Sequence, residues 1–205
     1  MKSFTRKQTV VVGFSVVWLL ASGWALKKIV DYKMTAGQRA VPPIRWPSGT
    51  LIPPPTRQAT LVMFVHPHCP CTRATVSELA RLVEALHGKL SAYVLFIQPE
   101  PFTKEWVESD LWTEVKRIPD VRAMIDRGGK QAELFKSYTS GQVFIYAPDG
   151  RLLFNGGITP SRGHEGDNLG IRRIMSLIRT GHADQAQSAV FGCALQDKET
   201  LYEHP

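Results

Sequence analysis

Residues 65–79, VHPHCPCTRATVSEL, place two cysteines and two histidines within six positions. Cys69 and Cys71, separated by Pro70, are the first candidates for chemistry. The thiolate form of cysteine is both the nucleophile of disulfide exchange and the ligand for soft metals. A cysteine in the first turn of a helix gains thiolate character from unpaired backbone N–H groups and the positive end of the helix dipole. Arg73 adds a positive charge close by. His68, beside Cys69, stabilises a thiolate when protonated and moves a proton when neutral. His66 reads more simply as a polar residue at a strand end, reaching water or a backbone carbonyl. Cys193 is the third and last cysteine of the chain. Two routes are open: Cys69 attacks with Cys71 as its partner, or one of this pair attacks and Cys193 resolves. A disulfide across one intervening residue closes a small, strained ring. The expected couple is therefore oxidising or isomerising rather than strongly reducing. The expected setting is an electropositive pocket open to solvent.

The same atoms allow a metal site. Cys69, Cys71 and Cys193 with His66, His68 or His164 make a Cys₃His or Cys₂His₂ set, suited to zinc or copper(I). Against it, two cysteines one residue apart form a tight chelate, and the remaining ligands are remote in sequence. Disulfide exchange with no cofactor is the leading expectation, and copper or zinc binding or delivery is the alternative.

A second unusual stretch is GGITPSRGHEGDNLG, 156–170. Long polar loops of this kind are commonly functional. Arg162 and His164 are candidates to bind an anionic substrate or to approach the cysteines, while Asp167 or Asn168 suits a helix cap. The stretch lacks the lysine and spacing of a phosphate-binding loop.

The elements that must position these residues follow from hydrophobic pattern. ATLVMFV, 59–65, is a continuous apolar run of strand length and predicts a buried central strand. Val76, Leu79, Leu82, Val83 and Leu86 recur at helical spacing, with Thr72 as a possible cap and Gly88 just past the end. SAYVLFIQ, 91–98, is a second buried strand. Residues 103–118 predict a helix, 120–126 a short strand and 129–138 another helix. QVFIYAPDGRLLFNGG, 142–157, predicts a hairpin around its PDGR turn. Residues 168–179 predict an amphipathic helix stopped by Gly181, and Val190 and Phe191 an apolar anchor for the tail. Trp106 and Trp112 are expected to pack rather than to dock a partner. The order implies an α/β fold with a central mixed sheet and helices on both faces.

At the other end of the chain lies TVVVGFSVVWLLASGWAL, Thr9 to Leu26, without a charge. A helix of that length spans about 27 Å, enough for a hydrocarbon core. It predicts a single-pass anchor, with a cleaved signal peptide as the competing reading. The net charge of +7 is concentrated here. Residues 1–33 carry +5 and residues 34–58 carry +3, while residues 59–205 carry −1. A near-neutral domain lacks the footprint of nucleic-acid binding. The partners expected are protein thiols or disulfides and a membrane. The basic flanks are almost balanced, so they favour only slightly a cytoplasmic tail and a domain facing the periplasm from the inner membrane. Pro42, Pro43, Pro47 and Pro53 to Pro55 predict an extended spacer. The expected domains are an anchor over 1–30, a linker over 31–57, a folded domain over 58–196 and a tail over 197–205.

This order resembles the thioredoxin-like superfamily, in which a buried strand ends in a short loop and a Cys-x-x-Cys motif opens the next helix. FVHPHCPC occupies that place, with Cys69 in the first-cysteine position. HPHCPCTRA, TSGQVFIY and GGITPSRGHEGDNLG are similar to stretches of membrane-anchored thioredoxin-like proteins called RedB. The resemblance implies a membrane-anchored thiol–disulfide oxidoreductase. Two departures accompany it. The cysteine spacing is one residue short. Gly141, within Thr139-Ser140-Gly141, stands near where the fold normally has a cis-proline facing the cysteines, so Gly141 is a candidate substrate-binding residue. Copper-delivery proteins on this fold keep the metal alternative open, and loss of the proline removes bulk above the sulfurs.

Overall fold

The computed structural model describes residues 5–183 and 185–196. The chain divides into two compact units, the first ending at Thr35 and the second beginning at Ala36. The first is one helix, α1 (Arg6–Met34), capped by Thr5, whose side chain accepts from the Gln8 N–H. None of its residues is buried within the protein. It is long and apolar enough to cross a membrane.

The second unit is built on a five-stranded sheet in the order β3-β2-β1-β4-β5. β1 (Ala59–Val65) lies at its centre, parallel to β2 (Leu90–Gln98) and antiparallel to β4 (Gln142–Tyr146). β3 (Val121–Arg127) continues the parallel side, and β5 (Leu152–Gly156) pairs antiparallel with β4. Every residue of β1 is buried, as its unbroken apolar run requires of a strand covered on both faces. Side chains alternate between two cores. Leu61, Met63 and Val65 face one core, together with Val94, Phe96, Val143 and Ile145. Val62 and Phe64 face the other, with Leu95, Phe144 and Tyr146. The first core is closed by α2 (Thr72–Ala85), α3 (Lys104–Val107), α4 (Asp110–Lys116) and α6 (Leu169–Thr180), through residues such as Leu79, Val107, Leu111 and Ile174. The second is closed by α5 (Lys130–Leu134), by Phe135 and by the segment carrying Ala40 and Ile52. The result is the expected α/β architecture, a central mixed sheet with helices on both faces.

Four local expectations are corrected. The helix expected over 103–118 is interrupted at Ser109, whose extended backbone and hydroxyl cap α4 by accepting from the Trp112 N–H. The helix expected over 129–138 stops after Leu134, and Lys136 follows at φ 53°. Cys71, not Thr72, occupies the cap position of α2, and its side chain makes no capping hydrogen bond. The proline-containing segment expected as a spacer is extended, but much of it lies along the domain. The Leu152 N–H donates to the Ile44 carbonyl and the Trp46 N–H to that of Gly150. The Trp46 ring meets Phe135 and Tyr146 edge-on, at 5.7 and 5.1 Å between centroids. Proline restricts the backbone of this segment, and of its apolar residues Trp46 and Ile52 pack on the second core while Ile44 and Leu51 stay exposed. The tail expected over 197–205 lies outside the described residues.

Candidate functional site

β1 delivers the corner. At its end the Cys69 N–H donates to the His66 carbonyl, and the Thr72 N–H donates to the Cys69 carbonyl, 3.1 Å each. These tight turns bring Cys69 and Cys71 to the start of α2. The third cysteine arrives along the C-terminal segment. Its Ser140-bonded carbonyl is part of an antiparallel bridge between Thr139 and Ala194. The Ser140 N–H donates to the Cys193 carbonyl at 2.8 Å and the Leu195 N–H to the Tyr138 carbonyl at 2.9 Å. The Sγ atoms of Cys69 and Cys193 lie 2.9 Å apart. All three sulfurs lie within 4.8 Å of one another.

The three thiols are electrostatically unlike. Cys69 is pulled from the ordinary value of 9.0 down to about 4, chiefly by the hydrogen bond from the Cys193 thiol, against the opposing effect of burial. The Thr72 hydroxyl and backbone N–H groups of Cys193 and Cys71 also favour the Cys69 thiolate. Cys193 is pushed up, first by donating that hydrogen bond, then by burial and by the charge on Cys69. Cys71 is pushed up by burial and by the Cys69 charge, with Arg162 acting the other way. The shared hydrogen bond thus shifts Cys69 and Cys193 in opposite directions, favouring thiolate on Cys69 and thiol on Cys193.

A short hydrogen-bond chain supports that charge. The His66 N–H donates to Ser140 Oγ at 2.9 Å, and Ser140 Oγ and Thr72 Oγ1 are 2.8 Å apart. An N–H can only donate, so the Ser140 proton is free to point at Thr72, and the Thr72 proton then points at Cys69. Nothing in the spacing of the sequence marked Ser140 or Thr72 for this role. Thr72 is adjacent to the motif, and Ser140 lies beside the glycine that replaces the proline.

The other expected site residues divide into two groups. Arg162 reaches the cluster: its guanidinium donates to the Gly192 carbonyl and interacts with Cys71. Gly141 lies beside it at φ 87°, a backbone conformation that favours glycine, and its N–H donates to the Phe64 carbonyl. A Cβ added there would meet Thr75 Oγ1 at 3.2 Å. The histidines lie apart. Among the described residues, none joins the three sulfurs in a cluster of possible ligands. His68 Nε2 donates to the Trp106 carbonyl at 2.9 Å. His66 meets the Trp106 ring edge-on, and its Nδ1 accepts from the His68 N–H. His164 is exposed, with Nδ1 2.8 Å from the Arg162 carbonyl. Arg73 is likewise turned outward, paired with Asp110 at 2.9 Å and with Glu114. Its charge is therefore spent on α4 rather than on the sulfurs.

Exposure also departs from expectation. Cys69 and Cys71 are 3% and 8% exposed, so the pair is buried rather than open to solvent. Cys193 is the half-exposed member. The C-terminal segment covers the corner, because its backbone finds donors and acceptors on residues 138–140 that would otherwise face water. Beside it opens a cavity of about 660 Å³, lined in part by Tyr138, Thr139, Arg162, Gly192 and Leu195.

No protein-family model matches the chain, and no curated protein matches it at a significant level. Solved structures do. An uncharacterized conserved protein from Geobacillus kaustophilus superposes with a TM-score of 0.58 at 19% identity, covering 80% of this chain and 93% of the other. A hypothetical protein from Sinorhizobium meliloti gives 0.56 at 20% identity, covering 78% and 93%. The exposed lipoprotein thioredoxin of Streptococcus pneumoniae is similar at a TM-score of 0.43 and 12% identity, over 61% and 86%. At these identities the first two likenesses concern the fold.

Proposed function

We propose that this protein is a thiol–disulfide oxidoreductase of the RedB type, tethered by α1 to the inner membrane with its domain in the periplasm. Its substrates are protein thiols or disulfides, and the reaction needs no cofactor. The observation that carries the reading is Cys193 Sγ 2.9 Å from Cys69 Sγ, at a corner whose hydrogen bonds lower the Cys69 pKa. A stabilised thiolate beside a partner sulfur is what exchange requires. Cys71, two residues away, is the alternative partner, so the Cys-Pro-Cys corner supplies one sulfur or both. Arg162 neutralises part of the negative charge that builds up as thiolates are released. Gly141 lets the chain turn next to Ser140 in a conformation that side chains disfavour. A periplasmic location agrees with the chemistry, since disulfides persist in oxidising compartments. Cys69→Ser is expected to abolish both insulin-disulfide reduction and dithiol oxidation. Unchanged rates in both assays would defeat the proposal.

The mutual approach of three sulfurs within 4.8 Å favours a second reading, a copper(I) or zinc site. Cys69, Cys71 and Cys193 would be the ligands. Soft thiolates suit copper(I), whereas a structural zinc site calls for four nitrogen or sulfur donors and only three converge among the described residues. Elemental analysis of reduced protein purified without chelator tests it. Bound copper supports a metal-delivery role, and its absence, with no uptake on titration, removes that role.

A further inference from the structure

The residue that carries the charge and the residue nearer solvent are different. Cys69 is 3% exposed, beneath the C-terminal segment, while Cys193 is half-exposed. That segment is held as an arm. The Gly37 N–H donates to the Val190 carbonyl at 2.8 Å, Arg162 donates to that of Gly192, and Tyr138 and Ser140, on either side of Thr139, pair with Leu195 and Cys193 of the arm. Gly192 passes so close that an added Cβ would lie 1.9 Å from the Ser140 carbonyl oxygen. The arm is therefore fitted to the corner with Cys193 over Cys69. Cys71 Sγ belongs to the same 4.8 Å cluster and interacts with both Cys69 and Arg162, but the pair at 2.9 Å is Cys69 and Cys193.

We propose that Cys69 and Cys193 form the exchanging disulfide, that an incoming protein thiolate attacks Cys193, and that Cys69 is the leaving thiolate. The arm then acts as the substrate-contacting part of a dithiol oxidase, with Cys71 outside the couple. This deepens the oxidoreductase reading and rests on it. A substrate thiolate attacks Cys193 Sγ, the Sγ–Sγ bond breaks, and its electron pair stays on Cys69. The second substrate thiol loses its proton and attacks the substrate sulfur of the mixed disulfide. The substrate leaves as a disulfide, and Cys193 leaves as a thiolate that takes up a proton. Two electrons pass from substrate to the cysteine pair. One of the two protons rests on Cys193 and the other goes to solvent. A disulfide-bearing oxidant, such as glutathione disulfide, restores the pair by the reverse exchange. The direction follows from what surrounds Cys69: the Thr72 hydroxyl and the backbone N–H groups of Cys193 and Cys71 support the thiolate as it is expelled, and once Cys193 is released as a thiol its hydrogen bond adds to them, which stabilises the reduced state and makes the couple oxidising.

The test equilibrates the full chain in glutathione buffers, quenches with acid, alkylates and maps the bonds by mass spectrometry. The expected internal disulfide is Cys69–Cys193, in the natural sequence and in Cys71→Ser. With one equivalent of reduced glutathione, the transient adduct is expected on Cys193. A Cys69–Cys71 bond, or an adduct on Cys69, overturns the proposal while leaving the oxidoreductase reading in place. Absence of any exchange, with glutathione or with protein substrates, overturns both. Gly192→Val, checked by circular dichroism, should weaken the internal disulfide against glutathione by about tenfold or more, because the effective concentration of Cys193 at Cys69 falls. An unchanged constant in the folded variant also overturns the arm. The mapping on the natural sequence decides the question even if the variant does not fold.

Discussion

Cys69 and Cys193 meet at one point but are brought there by very different structure. Cys69 ends a strand buried along its whole length and precedes a helix whose apolar stripe fills the larger core. Cys193 lies 124 residues further on, in a segment of irregular structure held by a handful of backbone hydrogen bonds and by the burial of Val190 and Leu195. Each such bond contributes about 1 kcal/mol net, so the arm belongs to the part of the molecule that opens at low cost, while the corner opens only with the domain. The contrast is one of anchoring: one sulfur is fixed in the setting that lowers its pKa, and the other sits on a segment held by few bonds, as the proposed exchange through Cys193 requires.

Several measurements would break or sharpen that contrast. The largest effect should come from Leu79→Ala on α2, fully buried in the larger core. It should cost about 2–5 kcal/mol in denaturant unfolding, and it should loosen corner and arm together. If Cys69 alkylation rose without that global loss, the corner would not be anchored as described.

Next is the pH dependence of the reduced protein. Cys69 has its folded pKa lowered to about 4 from the ordinary 9.0. Between those values the folded state binds fewer protons than the unfolded state, so stability should rise with pH across this window and be lost as pH falls toward 4. Cys71 and Cys193 are shifted upward and act in the opposite sense above the ordinary thiol value. Unfolding of reduced and oxidised protein across this range checks it. The oxidised form, with Cys69 and its partner bonded, should lose the Cys69 contribution.

A smaller effect is expected from Val190→Ala in the arm. Its global cost should be about 1 kcal/mol, with faster alkylation of Cys69 as the informative change. A loss as large as that of Leu79→Ala would place the arm within the cooperative core. The smallest effect is expected from Arg73→Ala. Its exposed ion pairs with Asp110 and Glu114 should contribute within about 0.5 kcal/mol. The thiolate titration of Cys69 should stay where it is. A clear shift would return Arg73 to the electrostatics of the corner.

Much of the fold is legible in the sequence because local pattern and tertiary burial agree there. The apolar run of 59–65 can be covered on both faces only at the centre of a sheet, and the spacing from Val76 to Leu86 gives one helix face to one core. Asn168 caps α6 through the Ile171 N–H, and Gly181 ends it in the left-handed conformation, as their residue types imply. The break at Ser109 is harder to read, since Ser109 within an apolar-periodic run fits both a helix interior and a cap. The histidines are misleading for a related reason. Their proximity in sequence to the cysteines says nothing of which way a ring turns, and the Trp106 ring and carbonyl claim His66 and His68.

The sequence by itself determined that two cysteines stand where a buried strand gives way to a helix, because hydrophobic period and turn chemistry are local properties. It also determined a charge-free apolar helix with basic residues at its flanks, apart from a near-neutral domain. Tertiary structure alone decided which sulfur accompanies Cys69, which cysteine lies nearer solvent and in which direction each thiol is shifted. Those outcomes depend on distances between segments far apart in the chain, and no local pattern encodes such distances.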